Sequence, residues 1–225
     1  MVKSKKKASF LFATHDTAIL YRESGVDRDV SLAYPTLLLS FEDYASMSDA
    51  KATVPSEKRR VEQPANANAI LVLEDGTVFW GHGIGLENDI VGEVCFNTSM
   101  TGYQEIITDP SYAGQIITFT FPHIGNVGTN LDDLERENAA AAGIIVKSDI
   151  TAASNYRATQ DFSCWLASTG LTGIAGVDTR NLTRRIRDFG AMNGIISFSN
   201  KKCFDLDELT IKAQSHPSLS GMDLA

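Results

Sequence analysis

Residues 92–130 limit the possible folds of this chain more than any other stretch, because two strand signals and a helix signal follow one another within it. Apolar and polar residues alternate across residues 91–97, which predicts a short strand. Residues 115–121 are rich in Ile, Thr and Phe, which predicts a second strand that ends at Pro122. The order of these signals indicates an α/β fold.

A helical turn and a tight corner separate the two strands. Tyr103, Ile106 and Ile107 fall at i, i+3 and i+4 of one helical face, and Pro110 ends the turn because the residue before a proline avoids the α conformation. Ser111 follows directly. Its hydroxyl can contact a small polar substrate, although a serine after a proline is also ordinary turn composition, and the residues alone favour the turn.

Composition and charge set outer limits on function. The chain has 225 residues, 43% of them hydrophobic and 21% charged, which is typical of a globular chain with a core, organised as one large or two small domains. A net charge of −8 argues against general nucleic-acid binding. Cys95, Cys164 and Cys203 are isolated, which indicates a reducing compartment without a metal cluster.

Residues 1–68 differ from the rest in composition. The apolar runs at residues 8–13 and 36–41 are too short for a secretory signal or a membrane span. Residues 47–69 are rich in Ser, Ala, Lys, Glu and Pro, so we predict a disordered extension and linker over residues 1–68. We also hypothesise that the natural protein starts at Met47.

A hairpin is predicted where the globular region begins. Residues 69–73 and 77–80 are strand-like and flank an Asp-Gly turn. The glycine-rich residues 81–85 do not match the spacing of a phosphate-binding loop, so we interpret them as bulged or irregular strand.

Strand and helix signals alternate after residue 130. Residues 131–142 are acidic and then Ala-rich, which predicts helix in part, and residues 143–146 predict a strand. A short core helix is expected to begin after an N-cap at Thr159 and to stop at Gly170. Residues 171–177 predict the next strand.

The helix that follows has two different faces. Asp178 is placed to cap it, and Leu182 and Ile186 share an apolar face. A basic stripe on the other side consists of Arg180, Arg184 and Arg187. This stripe fits either a docking surface for an acidic partner or phosphate, or a solvated helix face, and we favour the solvated face.

The last predicted elements are a strand at residues 192–198 and a helix from Asp205, capped in the manner of a capping box, to about residue 215.

The four histidines lack metal-ligand spacing. We interpret His123 as a loop residue rather than a catalytic base, because no nucleophile with an orienting acid is evident near it.

Several long motifs carry a family resemblance. They are GEVCFNTSMTGYQEIITDPSY at residues 92–112, PHIGN at 122–126, LVLEDGT at 71–77, AGVDTRNLTRRIRDFGAMNG at 175–194 and SGMDLA at 220–225. Over residues 69–225 the chain resembles the N-terminal domain of the small, glutaminase-bearing subunit of carbamoyl phosphate synthetase. Motifs of this length and order are far more specific than a lone glycine pattern.

The resemblance implies a three-layer β/β/α swivelling-type domain with one site residue, Ser111, which contacts glutamine. It implies a cytoplasmic ligase in which a separate Cys-His-Glu glutaminase domain, not found in this sequence, releases ammonia. The large subunit then uses ATP, a metal ion and bicarbonate to make carbamoyl phosphate for arginine or pyrimidine synthesis. This chain is expected to hold no catalytic residue, cofactor or metal, to contact neither nucleic acid nor membrane, and to be inactive alone. The alternative is a stand-alone binding or regulatory module that lost the glutaminase.

Overall fold

The computed structural model describes residues 10–14, 17–21, 62–217 and 219. They belong to two units, Met1–Arg59 and Arg60–Ala225. In the first unit, β1 (Phe10–Thr14) pairs antiparallel with β2 (Thr17–Tyr21). The predicted disorder of residues 1–68 and the predicted start at Met47 fall largely outside the described residues and stay predictions.

Seven strands of the second unit form a closed barrel. They are β3 (Ala69–Leu73), β4 (Val78–Gly85), β5 (Asp89–Asn97), β6 (Gln115–Phe119), β7 (Gly143–Ile145), β8 (Thr172–Ala175) and β9 (Met192–Phe198). The strand order around the barrel is β3-β4-β8-β7-β6-β5-β9. Strands β5 to β8 are paired in parallel, from β5 to β6, β6 to β7 and β7 to β8.

The barrel confirms the α/β class and all the predicted strand positions within one to three residues, apart from β4. The three-layer β/β/α arrangement that the resemblance implies is not confirmed, because the strands close on themselves. In the described part of the chain no helix has the length and apolar character to cross a membrane.

Strand β4 corrects part of one prediction, since residues 81–84 are ordinary paired strand and only Gly85, with φ +75°, departs from regular strand geometry. The strand pairs with β3 as far as Gly81 and with β8 from His82 onward. A Cβ atom on Gly81 would lie 2.2 Å from the carbonyl oxygen of Ala175. The glycines therefore permit close approach of a neighbouring strand rather than a bulge or a phosphate loop.

Alternation along the strands divides the apolar residues between the inside and the outside of the barrel. In β3, Leu71 packs in an interior cluster to which all seven strands contribute, whereas Ile70 packs on the outer face. Helix α3 (Thr179–Phe189) adds Leu182 and Ile186 to the interior cluster. This helix follows β8 and therefore covers the end of the barrel where the parallel strands finish.

The other helices cover the outside. They are α1 (Tyr103–Thr108), α2 (Phe162–Ser168) and α4 (Leu206–Ser215). Helices α1 and α2 share an apolar cluster with residues of β6 and β7, α2 also contacts β4, and α4 packs over β3 and β9. Asp178 and Asp205 cap α3 and α4 as predicted, because their carboxylates accept hydrogen bonds from backbone N–H groups of the first turns.

Two helix predictions were wrong. The N-cap of α2 is Asp161 rather than Thr159, and Thr159 instead donates its hydroxyl to the Thr129 carbonyl. Residues 131–142 contain no helix. The side chain of Asn130 accepts from the N–H groups of Asp132 and Asp133, which places the backbone donors of this segment in a turn instead of a helix.

Candidate functional site

Ser111 lies on a 3₁₀ turn, Pro110–Tyr112, which joins α1 to β6. Pro110 occupies the first position, where its fixed φ favours the turn. The Asp109 carboxylate accepts a hydrogen bond from the Ser111 amide at 2.8 Å, and the amide of Tyr112 bonds to the Asp109 carbonyl at 3.0 Å. The backbone at Ser111 is therefore held by its immediate neighbours.

The turn has a defined charge as well as a defined shape. Hydrogen bonds from Ser111, first from its backbone N–H and then from its hydroxyl, lower the pKa of Asp109. Asp109 is therefore ionised at neutral pH and remains an acceptor. Ser111 itself is exposed at the protein surface.

The glycine after the turn and a side-chain hydrogen bond fix the corner against β5. Gly114 has φ +74°, which L side chains rarely adopt. Its carbonyl oxygen lies so close to β5 that a Cβ atom on Gly92 would be 2.6 Å away. The Tyr112 hydroxyl accepts from Nδ2 of Asn97 at 3.0 Å. The position of Ser111 is thus set by the barrel itself.

The other predicted site candidates do not gather around Ser111 into a reactive group. Cys95 is half-buried on β5, and burial raises the pKa of its thiol to about 12. Cys164 and Cys203 are exposed. The ring of His123 lies edge-on to Phe121, 6.0 Å between centroids, which fits the predicted loop role.

Metal ligands were not expected, and no group of three or more His, Cys, Asp or Glu suited to a metal ion occurs among the described residues. With an ionised carboxylate and a hydroxyl at a fixed, exposed corner, the arrangement can bind a polar ligand by hydrogen bonds.

A second feature is a groove beside α3, which we call the basic groove. It has a volume of about 590 Å³ and is lined by Thr120, Pro122, Lys147, Thr179, Arg180, Thr183, Arg184 and Arg187. The arginine stripe predicted from helical spacing therefore lies along one wall. Lys147 and Thr120 were not predicted from the sequence as members of this groove. Each lies just beyond the end of a strand, and the two strands are parallel, which was the available signal.

The fold defines an α/β-barrel domain with an exposed serine corner. The family model for the carbamoyl-phosphate synthase small chain, CPSase domain, matches residues 71–196, and the chain belongs to this family. The resemblance stated from the sequence motifs is therefore confirmed.

Curated relatives agree with the family model. The carbamoyl phosphate synthase small chain of Bradyrhizobium diazoefficiens is 56% identical over 160 residues, which are 69% of this chain and 40% of the relative. The small chain of Ruegeria pomeroyi is 56% identical over 157 residues, 70% of this chain and 40% of the relative. The chain thus spans about 40% of the length of these relatives.

Among solved structures, an aminopeptidase from Aneurinibacillus sp. strain AM-1 is similar with a TM-score of 0.36 and 12% identity, over 61% of this chain and 31% of that one. A similarity this low carries no argument about fold or function.

Proposed function

We propose that this chain acts as part of the small, glutamine-using subunit of a carbamoyl phosphate synthase. In this role residues 69–225 form the N-terminal domain of the subunit, a scaffold that docks onto the large subunit and places one residue, Ser111, against glutamine. A glutaminase domain outside these residues releases ammonia, and the large subunit, in the cytoplasm, binds ATP and a metal ion and forms the carbamoyl phosphate used for arginine or pyrimidine synthesis. The chain alone is inactive. The three-layer, swivelling-type arrangement of the domain also remains part of this proposal.

The observation that carries the proposal is an exposed serine at a rigid corner, within a family match that covers residues 71–196. A serine inside the core could not reach a substrate held by another domain. Ser111 stands at the surface, and the bond between its amide and Asp109 fixes the direction of the corner. The geometry therefore suits contact with a ligand that approaches from outside the barrel.

Exposed apolar side chains at the carboxyl end of β5, which is paired with the carboxyl end of β6, support contact with another domain. Phe96 and Met100 flank Asn97, the residue that bonds to Tyr112, and they are 38% and 69% exposed. Large apolar side chains at a surface suit contact with another protein surface. Most contacts to glutamine then come from that domain, and the serine adds a single hydrogen bond worth about 1–3 kcal/mol.

The test is a Ser111→Ala change in the complete small chain, assembled with its large chain. Loss of one hydrogen bond of that size is expected to lower kcat/KM for glutamine by about five- to a hundredfold. Ammonia-dependent synthesis should be unchanged, because ammonia bypasses the glutamine site. Both activities are measured on the same preparation.

A matched control is Ser163→Ala, which removes an exposed serine hydroxyl from α2 and should alter neither activity. If Ser111→Ala reduced the glutamine-dependent and ammonia-dependent rates equally, the serine would be structural and the proposed contact would be wrong.

A further inference from the structure

The basic groove lies at the opposite end of β6 from the serine corner. Ser111 precedes Gln115, the first residue of β6, whereas Thr120 and Pro122 follow its last residue. Five strand residues span about 17 Å. Lys147 follows β7, and α3 starts just after β8, so the groove lies outside the carboxyl ends of three neighbouring parallel strands, a frequent position for binding sites.

Several cations of the groove lack a neutralising partner. No Asp or Glu among residues 62–217 forms an ion pair with Lys147, Arg180 or Arg184. By contrast, Arg185 points away from the groove on the same helix and binds the Asp75 carboxylate through its Nε at 2.8 Å. The groove therefore presents positive charge on a chain whose net charge is −8.

Arg180 is also placed where it does not favour the helix. It is the second residue of α3, and the first turn of that helix contains no acidic residue. A cation near a helix N-terminus is unfavourable because the backbone dipole is positive there. Helix stability therefore does not account for Arg180.

The arrangement of the cations fits an extended ligand better than a single phosphate. Arg187 lies seven positions after Arg180, a rise of about 10 Å along the helix, and Lys147 lines the groove from the segment after β7. All four side chains are exposed, so the groove lacks the enclosed, largely apolar lining of a small-molecule pocket. The overall negative charge opposes binding to a nucleic-acid backbone.

We propose that the basic groove docks a carboxylate-rich segment of the large synthase chain. The inference rests on the proposed function, because it requires the large chain as partner. Arginine is enriched at protein interfaces, and its planar guanidinium can bind a carboxylate through two hydrogen bonds. An acidic segment lying along α3 would neutralise Arg180 and Arg184 from one side and Lys147 from the other.

The experiment measures the affinity of the complete small chain for the large chain with Arg184→Glu and with the double variant Arg180→Glu and Arg184→Glu. We expect the double variant to bind about tenfold more weakly or worse, since like charges would then face each other. Wild-type binding should weaken as sodium chloride is raised, and the salt dependence should be smaller in the double variant.

The control for charge is Lys201→Glu, an exposed site outside the groove, which should leave the affinity unchanged. Thermal unfolding of each variant shows whether the variant is still folded. The double variant should melt within a few degrees of the wild type, because Glu in place of Arg180 is favourable in the first turn of the helix, whereas Glu in place of Arg184 lies four residues before Asp188 and is slightly unfavourable.

Each alternative outcome is distinct. If the wild-type chain binds the large chain and the double variant binds equally well, the groove is not the docking site, and the proposed function stands. If the wild type does not bind at all, both proposals fail.

Discussion

Gly85 and Gly170 share a backbone conformation but differ in their surroundings. Their φ angles are +75° and +72°, so an added side chain meets the same backbone strain at both. A Cβ atom on Gly85 would lie 2.0 Å from the carbonyl oxygen of Leu171, whereas nothing lies within 4 Å of one on Gly170. A comparison of substitutions at the two glycines therefore separates the effect of backbone strain from the effect of steric crowding.

We predict that Gly85→Ala lowers the free energy of unfolding by about 1–3 kcal/mol more than Gly170→Ala does, since a backbone atom cannot move aside without disturbing β8. Urea unfolding of both variants measures the difference. Equal losses would show that the β4–β8 contact adapts and that the strain alone matters.

The helices could be predicted best where residue type and spacing within the helix determine its ends and its buried face. The caps at Asp178 and Asp205 and the buried face of α3 follow from residue type and spacing, and these predictions were confirmed. The absence of a helix from residues 131–142 could not be predicted from helix propensity. Asn130 and the Thr108 hydroxyl accept hydrogen bonds from the backbone N–H groups there, and Thr108 is distant in sequence.

Helix α3 is expected to hold the barrel end closed through Leu182, which is fully buried in the interior cluster. We predict that Leu182→Ala costs about 2–5 kcal/mol, because it removes a buried side chain and leaves a cavity that the rigid strands cannot fill. Chemical denaturation measures the loss.

Asn181→Ala, at the exposed neighbouring position of the same helix, is the matched control. It should be neutral or slightly stabilising, because alanine has the higher helix propensity. A loss below about 1 kcal/mol for Leu182→Ala would mean that α3 is dispensable for the barrel, contrary to its place in the interior cluster.

At the scale of the whole molecule, the individual strands could be predicted but the closed barrel could not. Alternation shows which residues of β3 share a face, yet nothing local shows that β4 changes its neighbour from β3 to β8 at Gly81 and His82. The composition of the basic groove could likewise be predicted only in part from local sequence. Its arginines followed from helical spacing, whereas Lys147 joins them only through tertiary structure.

We predict that the backbone amides of β3 exchange with solvent more slowly than any others in the barrel. All five residues of β3 are fully buried, and the strand is paired on both sides, with β4 and β9. Exchange there requires the most extensive opening. Native-state hydrogen exchange tests this, and protection of β3 no greater than that of residues 131–139 would contradict it.

Closure of the barrel also affects how the domain behaves among other copies of itself. Each of its seven strands pairs with two others, β4 doing so in succession with β3 as far as Gly81 and with β8 from His82, so the barrel offers no full-length free strand edge onto which a strand from another molecule could add. Contacts that this domain makes therefore use side chains, helices and loops instead of a free strand edge, and fibrous self-assembly through its sheet would first require the ring of strands to break.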